Sequence, residues 1–352
     1  MAATMNTLLT TILLLSFVAL AASAEQCESR YEGGCHDKSL ALKYKLGAIA
    51  SILVTSMIGV CLPIFSRAVP ALHPDRNMFS IVKAFASGVI LATGYMHVMP
   101  DSYEDLTSPC LPDHPWQKFP FTAFIAMLSA IFTLMVDSFC IHYFKKKYNL
   151  ASSSSQAVVA AAESKELEHI GDGHGHGNGN GIGGDKVVSG EQLLRYRVVA
   201  QVLEAGIVVH SVVIGLSMGA SENPCTIRPL IAALCFHQLF EGMGLGGCIL
   251  QADYGTRMKS ILIFFFSVTT PFGIALGIGL SNVYSDTSKT ALIVEGVLNA
   301  TSAGLLNYMA LVDLLGADFF GTKLQSNFKL MSWAFVAVLL GAGGMSVMAI
   351  WA

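Results

Sequence analysis

The stretch LIAALCFHQLFEGMGLGG, residues 230–247, decides the fold. It holds no lysine or arginine, and its strongly polar side chains are His237, Gln238 and Glu241. An apolar run of this length matches the roughly 20 residues that an α-helix needs to cross a bilayer. A charge near the bilayer centre costs at least about 2.5–3.5 kcal/mol on insertion scales, so Glu241 needs a compensating role there. His237 and Glu241 stand four residues apart and share one face of a helix.

Similar apolar runs surround this one. The chain has 352 residues, 53% of them hydrophobic and 13% charged, with a mean hydropathy of +0.58. A soluble domain normally carries about a quarter charged residues, so polar surface is too scarce here to coat one. The runs fall at roughly 44–66, 79–100, 119–144, 197–220, 226–250, 258–282, 290–316 and 329–351. They predict an all-α integral membrane protein with eight transmembrane helices, its partner the lipid bilayer. A formal charge of -3 gives no basis for nucleic-acid binding. Residues 1–24 read as a signal peptide, with an apolar core from Leu8 to Ala21 and Ala22-Ser23-Ala24 at the cleavage site. No basic residue precedes that core, and an additional membrane anchor is the competing reading. The expected organisation is a signal at 1–24, helices one to three within 25–144, a loop at 145–196, and helices four to eight within 197–352.

Charge sets the expected orientation. With the mature N-terminus outside, fourteen of the 21 basic residues face the cytoplasm, as the positive-inside rule requires. The C-terminus then also lies outside. Lys83 and Arg197, near cytoplasmic helix ends, are expected to snorkel to water. Cys27, Cys35, Cys110 and Cys225 fall in outside segments, where disulfides persist, and Cys27 with Cys35 is a plausible local pair. Cys61, Cys140, Cys235 and Cys248 lie inside helices and are expected to be free. The 145–196 loop contains His169 and the tract GDGHGHGNGNGIGG at 171–184, with His174 and His176. Its Gly, Ser and Asn content predicts disorder, and the His-Gly-His spacing suits loose binding of zinc or a similar metal. A flexible linker without metal is the bland alternative.

Polar residues inside the spans form a pattern. The fourth span, VLEAGIVVHSVVIGLSMGAS at 202–221, places His210 and Ser211 at mid-depth, level with His237 and Glu241 of the fifth. Imidazole and carboxylate are good ligands for zinc, and iron(II) and manganese(II) accept them too. A bound divalent cation would neutralise Glu241; a protonated Glu241 bonded to a histidine is the alternative. Gly215 with Gly219, Gly242 with Gly246, and Gly273 with Gly277 predict close helix packing, and Pro271 predicts a break in the sixth helix. Asp101 and Glu104 stand outside the second span as a candidate cation mouth, with His97 one turn further in. Asp137, Glu204 and Asp313 lie toward the cytoplasmic half, as a candidate exit path.

These residues resemble the ZRT/IRT-like (ZIP) divalent metal transporter family, in its plant branch. The resemblance covers nearly all of the mature chain. It is carried by KAFASGVILATGYMHVMPDS at 83–102, PCLPDHPWQKFPF at 109–121, LEAGIVVHSVVIGLSMG at 203–219, IRPLIAALCFHQLFEGMGLGG at 227–247 and NATSAGLLNYMALVDLL at 299–315. It implies eight helices in a 3+2+3 inverted repeat and movement of Zn2+, Fe2+, Mn2+ or Cd2+ into the cytoplasm, zinc being the first expectation. It implies His210 and Glu241 as central ligands with Ser211 or Gln238 as weaker donors, His97 and His237 on the outer side, Asp101 at the entrance and Asp137 at the exit. The metal is cargo rather than a prosthetic group. The plasma membrane is the expected location, with a vacuolar or other endomembrane as alternative, and a homodimer is compatible with the reading. Prokaryotic members with two bridged metals carry carboxylates where this chain has Ile214, Gln238 and, near the sixth span, Thr270. One principal site is therefore expected.

Other classes fit less well. A membrane metallohydrolase would want a second histidine four residues from the first, and His237 is followed at that spacing by Glu241. The pattern GxSxG at 215–219 needs a strand-to-helix elbow but lies in a transmembrane helix. No Walker motif occurs. A metal-sensing receptor without transport shares the same ligands and is separable only by measuring uptake.

Overall fold

The structure is a computed structural model and describes residues 35, 37–65, 76–166, 183–281 and 288–350. Residues 1–24, Cys27, His169, His174 and His176 lie outside the described residues. Among the described residues, eight helices are long and apolar enough to cross a membrane. They are α1 (Lys38–Phe65), α2 (Asn77–Leu106), α3 (Phe121–Glu166), α4 (Gly183–Ala220), α5 (Pro224–Gln251), α6 (Thr256–Leu280), α7 (Lys289–Phe319) and α8 (Phe328–Met348). Helices suit this composition because each satisfies its own backbone hydrogen bonds, which lipid cannot do.

Polar residues start the helices where the apolar runs begin. The Asn223 side chain accepts from the Cys225 N–H, with Pro224 next to it. Ser288 accepts from Ala291 N–H and Asn327 from Leu330 N–H. Each cap satisfies a donor that the first turn leaves free.

Successive spans run in opposite directions, so the bundle has two ends. One carries the α2–α3 connection and the Cys35–Cys225 bond and is called the disulfide end; the other carries the short α5–α6 connection at 252–255 and is called the loop end. Helices α1, α4, α5 and α6 pack mainly on one another, with α1 against α5 and α4 against α6. Helices α2, α3, α7 and α8 form a second bundle, with α2 against α8 and α3 against α7. Exchanging α1–α3 with α6–α8, and α4 with α5, maps this packing onto itself. The exchanged helices are antiparallel, which makes the repeat inverted. At the centre, 72% of the most apolar stretch of both α4 and α5 is buried, against 22% for α3.

Glycine makes the tight seams. A Cβ on Gly215 would stand 2.7 Å from the Thr270 carbonyl, and one on Gly242 2.8 Å from the Val60 nitrogen. Gly219 faces Gly277 in the same α4–α6 seam. The small-residue pairs therefore work as expected, letting backbones touch.

Two local expectations are corrected, and one feature is new. Helix α6 runs unbroken through the buried Pro271, as transmembrane helices tolerate when neighbouring groups take up the freed carbonyl. The 145–196 loop is partly helical, since α3 continues to Glu166 and α4 begins at Gly183. The Ala-rich stretch AVVAAAESKE at 157–166 has the propensity for it. Finally, α2 and α7 each change to a π-helix, at Gly94–Val98 and at Met309–Gly316. These equivalent positions in the two repeats carry His97 and Asp313, and π-turns occur frequently at functional sites.

Candidate metal-binding site

The site lies where α2 of the second bundle meets α4 and α5 of the first. Helix α4 contributes His210 and Ser211, α5 contributes His237, Gln238 and Glu241, and the π-turn of α2 contributes His97. His237 and Glu241 are fully buried, and His210 is 1% exposed. The three imidazoles stand in a row. The His237 ring centroid is 5.7 Å from that of His210 and 6.0 Å from that of His97. His210 and His237, expected at mid-depth, are thus brought together with His97.

Their hydrogen bonding is unusual. Both nitrogens of His210, both nitrogens of His237 and both carboxyl oxygens of Glu241 are buried without a protein partner. The same is true of His97 Nε2, Ser211 Oγ and Gln238 Nε2. Buried polar atoms are ordinarily bonded, so each exception calls for an explanation. Among the described residues, no buried lysine or arginine balances Glu241. The donor set is imidazole and carboxylate, and a divalent cation would satisfy both types together. Among the described residues, no three His, Cys, Asp or Glu side chains are gathered tightly enough to enclose an ion. The histidine row is a ladder of neighbouring donors, not a closed cage.

The substituted carboxylate positions have structural explanations. Ile214 packs among Ala48, Ile52, Met218, Leu234 and Ile274. The Thr270 hydroxyl donates to Gln238 Oε1 at 3.4 Å, a weak neutral contact between two of the altered positions.

Toward the disulfide end, Asp101 is half-buried and Glu104 exposed on α2, close enough to interact electrostatically. Toward the loop end, Asp137 of α3 accepts a hydrogen bond from the Tyr308 hydroxyl of α7 at 3.3 Å. Asp313 is buried with both carboxyl oxygens unpartnered, near Asp137 and Arg195. Glu204 is buried on α4 and neighbours Tyr254. Asp137 and Asp313 therefore form one group, and Glu204 stands on another element.

Two sequence expectations fail here. Cys35 is not paired with Cys27: it bonds Cys225, 190 residues away, with the Cα atoms 6.2 Å apart. The tie joins the start of α1 to the start of α5, beside a Lys38–Glu222 ion pair of 2.8 Å. The α1–α5 packing brings the two cysteines together, which local spacing cannot reveal. Cys110 is also disulfide-bonded, and Cys61, Cys140, Cys235 and Cys248 are free as expected. Lys83 does not snorkel. Its side chain is 4% exposed and its Nζ donates to Asp318 Oδ1 at 2.9 Å and Gln251 Oε1 at 3.0 Å. Arg197 does reach the surface, where it donates to the Ala252 and Asp253 carbonyls.

A family profile described as ZIP Zinc transporter matches residues 42–349. The chain is 61% identical to "Fe(2+) transport protein 1" of Oryza sativa subsp. japonica, over 96% of this chain and 93% of that one. It is 56% identical to "Probable zinc transporter 10" of Arabidopsis thaliana, over 95% and 93% of the two chains. It is 53% identical to "Fe(2+) transport protein 1" of Arabidopsis thaliana, over 99% and 98%. With eight antiparallel spans around a buried histidine row and a match over nearly the whole chain, this protein belongs to the ZIP zinc transporter family.

Proposed function

We propose that the chain carries a divalent transition-metal ion, Zn2+ or Fe2+, across a membrane by alternating access. The observation that supports this most is the set of six unpartnered nitrogen and oxygen atoms on His210, His237 and Glu241, buried where the two bundles meet. A protein that uses them only for packing would leave several desolvated polar groups without compensation. In this reading the ion is drawn to Asp101 and Glu104, passes His97 and His237, rests on His210 and Glu241 with Ser211 or Gln238 assisting, and leaves past Asp137 and Asp313. Water completes the coordination, because an ion held by a closed cage exchanges slowly. Glu204 assists at the loop end from α4.

The direction is into the cytoplasm, with the loop end cytoplasmic and both termini outside. The plasma membrane is the proposed location. A His/Glu donor set accepts zinc, iron(II), manganese(II) and cadmium(II) alike, and relatives named for zinc and for iron are both similar to this chain. His169, His174 and His176 are proposed to bind the ion loosely and tune its uptake. No catalysis is proposed.

Radiozinc and radioiron uptake in zinc- or iron-deficient yeast tests this, with Mn2+ and Cd2+ as competitors. Saturable uptake that these ions displace is expected, and removal of residues 169–184 should change metal preference or regulation while leaving uptake. Metal binding without uptake, with protein at the surface, would replace the carrier by a receptor.

A further inference from the structure

A second polar cluster joins the two bundles, and the metal path does not use it. Lys83 of α2 lies inside the protein, one ion pair and one hydrogen bond satisfying its ammonium group. Asp318, its ionic partner, belongs to α7 and so to the same bundle. Gln251 ends α5 and belongs to the other. The remaining side-chain bonds described above, Tyr308 to Asp137, Thr270 to Gln238 and Arg197 to Ala252, each stay within one bundle. Beside the cluster lies a loop-end cavity of about 690 Å³, lined by Ser80, Lys83, Arg195, Gln251, Asp318 and Lys323.

We propose that Lys83, held in place by Asp318, clasps Gln251 across the bundle interface and so stabilises the conformation seen here against the alternate one. Asp318 fixes the ammonium and offsets its charge. Gln251 contributes a single charge-assisted bond, strong enough to bias an equilibrium and weak enough to break in each cycle. Lys83 and Gln251 are positioning residues; neither touches the ion. The inference rests on the alternating-access reading.

Gln251 is the residue to change, since altering it leaves the Lys83–Asp318 pair intact. Gln251→Glu offers Lys83 a second carboxylate and tightens the clasp, whereas Gln251→Leu removes it. Spin labels at Lys43→Cys on α1 and Met127→Cys on α3 report the separation of the bundles near the disulfide end, far from the clasp. The labels are placed in a chain whose four free cysteines are replaced by serine, and pulsed electron resonance reads the distances. Two distance populations are expected, and their ratio should move by at least about threefold in opposite directions for the two variants. Two populations that stay unchanged, or move in the same direction, in both variants would overturn the clasp alone. One distance throughout, unaltered by added Zn2+ or Fe2+, would overturn both the clasp and the alternating-access reading beneath it.

Discussion

His237 and Lys83 lie in the same seam between the two helix bundles, one at its centre and the other toward its loop end. Both are buried, and they are satisfied in opposite ways. Lys83 has a carboxylate and an amide within 3.0 Å, whereas His237 has no partner on either nitrogen. A buried charge with its partners in place has its desolvation offset within the protein, whereas the unpartnered groups are those that the proposed metal would satisfy. Lys83 thus stands at a junction that the protein satisfies by itself, and His237 at the junction proposed to bind the ion.

The comparison predicts that the two sites fail differently. His210→Ala should lower radiometal uptake by about 100-fold, with surface expression retained. Its metal-free thermal stability should change little, because no bonded partner is left behind unsatisfied. Normal uptake would break the comparison at its centre. So would a large loss of stability with uptake lost only in proportion, since that would make His210 a packing residue.

At Lys83 the larger effect is expected on stability. Lys83→Met leaves Asp318 without its ion partner. Breaking a buried pair costs about 3–5 kcal/mol, and the 21% exposure of Asp318 reduces this to about 2 kcal/mol. Adding Asp318→Asn should recover most of that loss, because both charges are then gone. Thermal melts in detergent read the cycle. A double variant no more stable than the single one would show that the loss comes from the missing bond to Gln251 and not from an unpaired Asp318.

Much of this contrast was legible in the sequence, and the illegible part has a physical pattern. Eight spans follow from hydropathy because lipid demands long apolar helices. The candidate central site was visible because His210, His237 and Glu241 stand in apolar runs where an ionisable group is costly. The Lys83 junction was hidden because its partner is 235 residues away and Lys near a helix end ordinarily snorkels. The Cys35–Cys225 bond was hidden for the same reason of distance: a nearer cysteine was available at position 27. The π-turns had no stronger signal than Gly94 and Gly316 at their ends. Local pattern reveals which residues are out of place in a membrane, and only packing reveals which of them have found partners.

The Cys35–Cys225 bond gives the smallest effect on transport. It is a strong tie, yet both of its ends belong to the first bundle, one before α1 and the other in α5. A cross-link closing a long loop is worth about 2–4 kcal/mol of stability. Cys225→Ser should therefore lower the melting temperature. Uptake per surface molecule should nonetheless stay within about twofold, because a tie inside one bundle does not resist movement between two. A loss of uptake beyond that of protein amount would mean that α1 and α5 move against each other during the cycle. The boundary between the moving parts would then run through the first bundle, and the contrast between the two junctions would have to be redrawn along it.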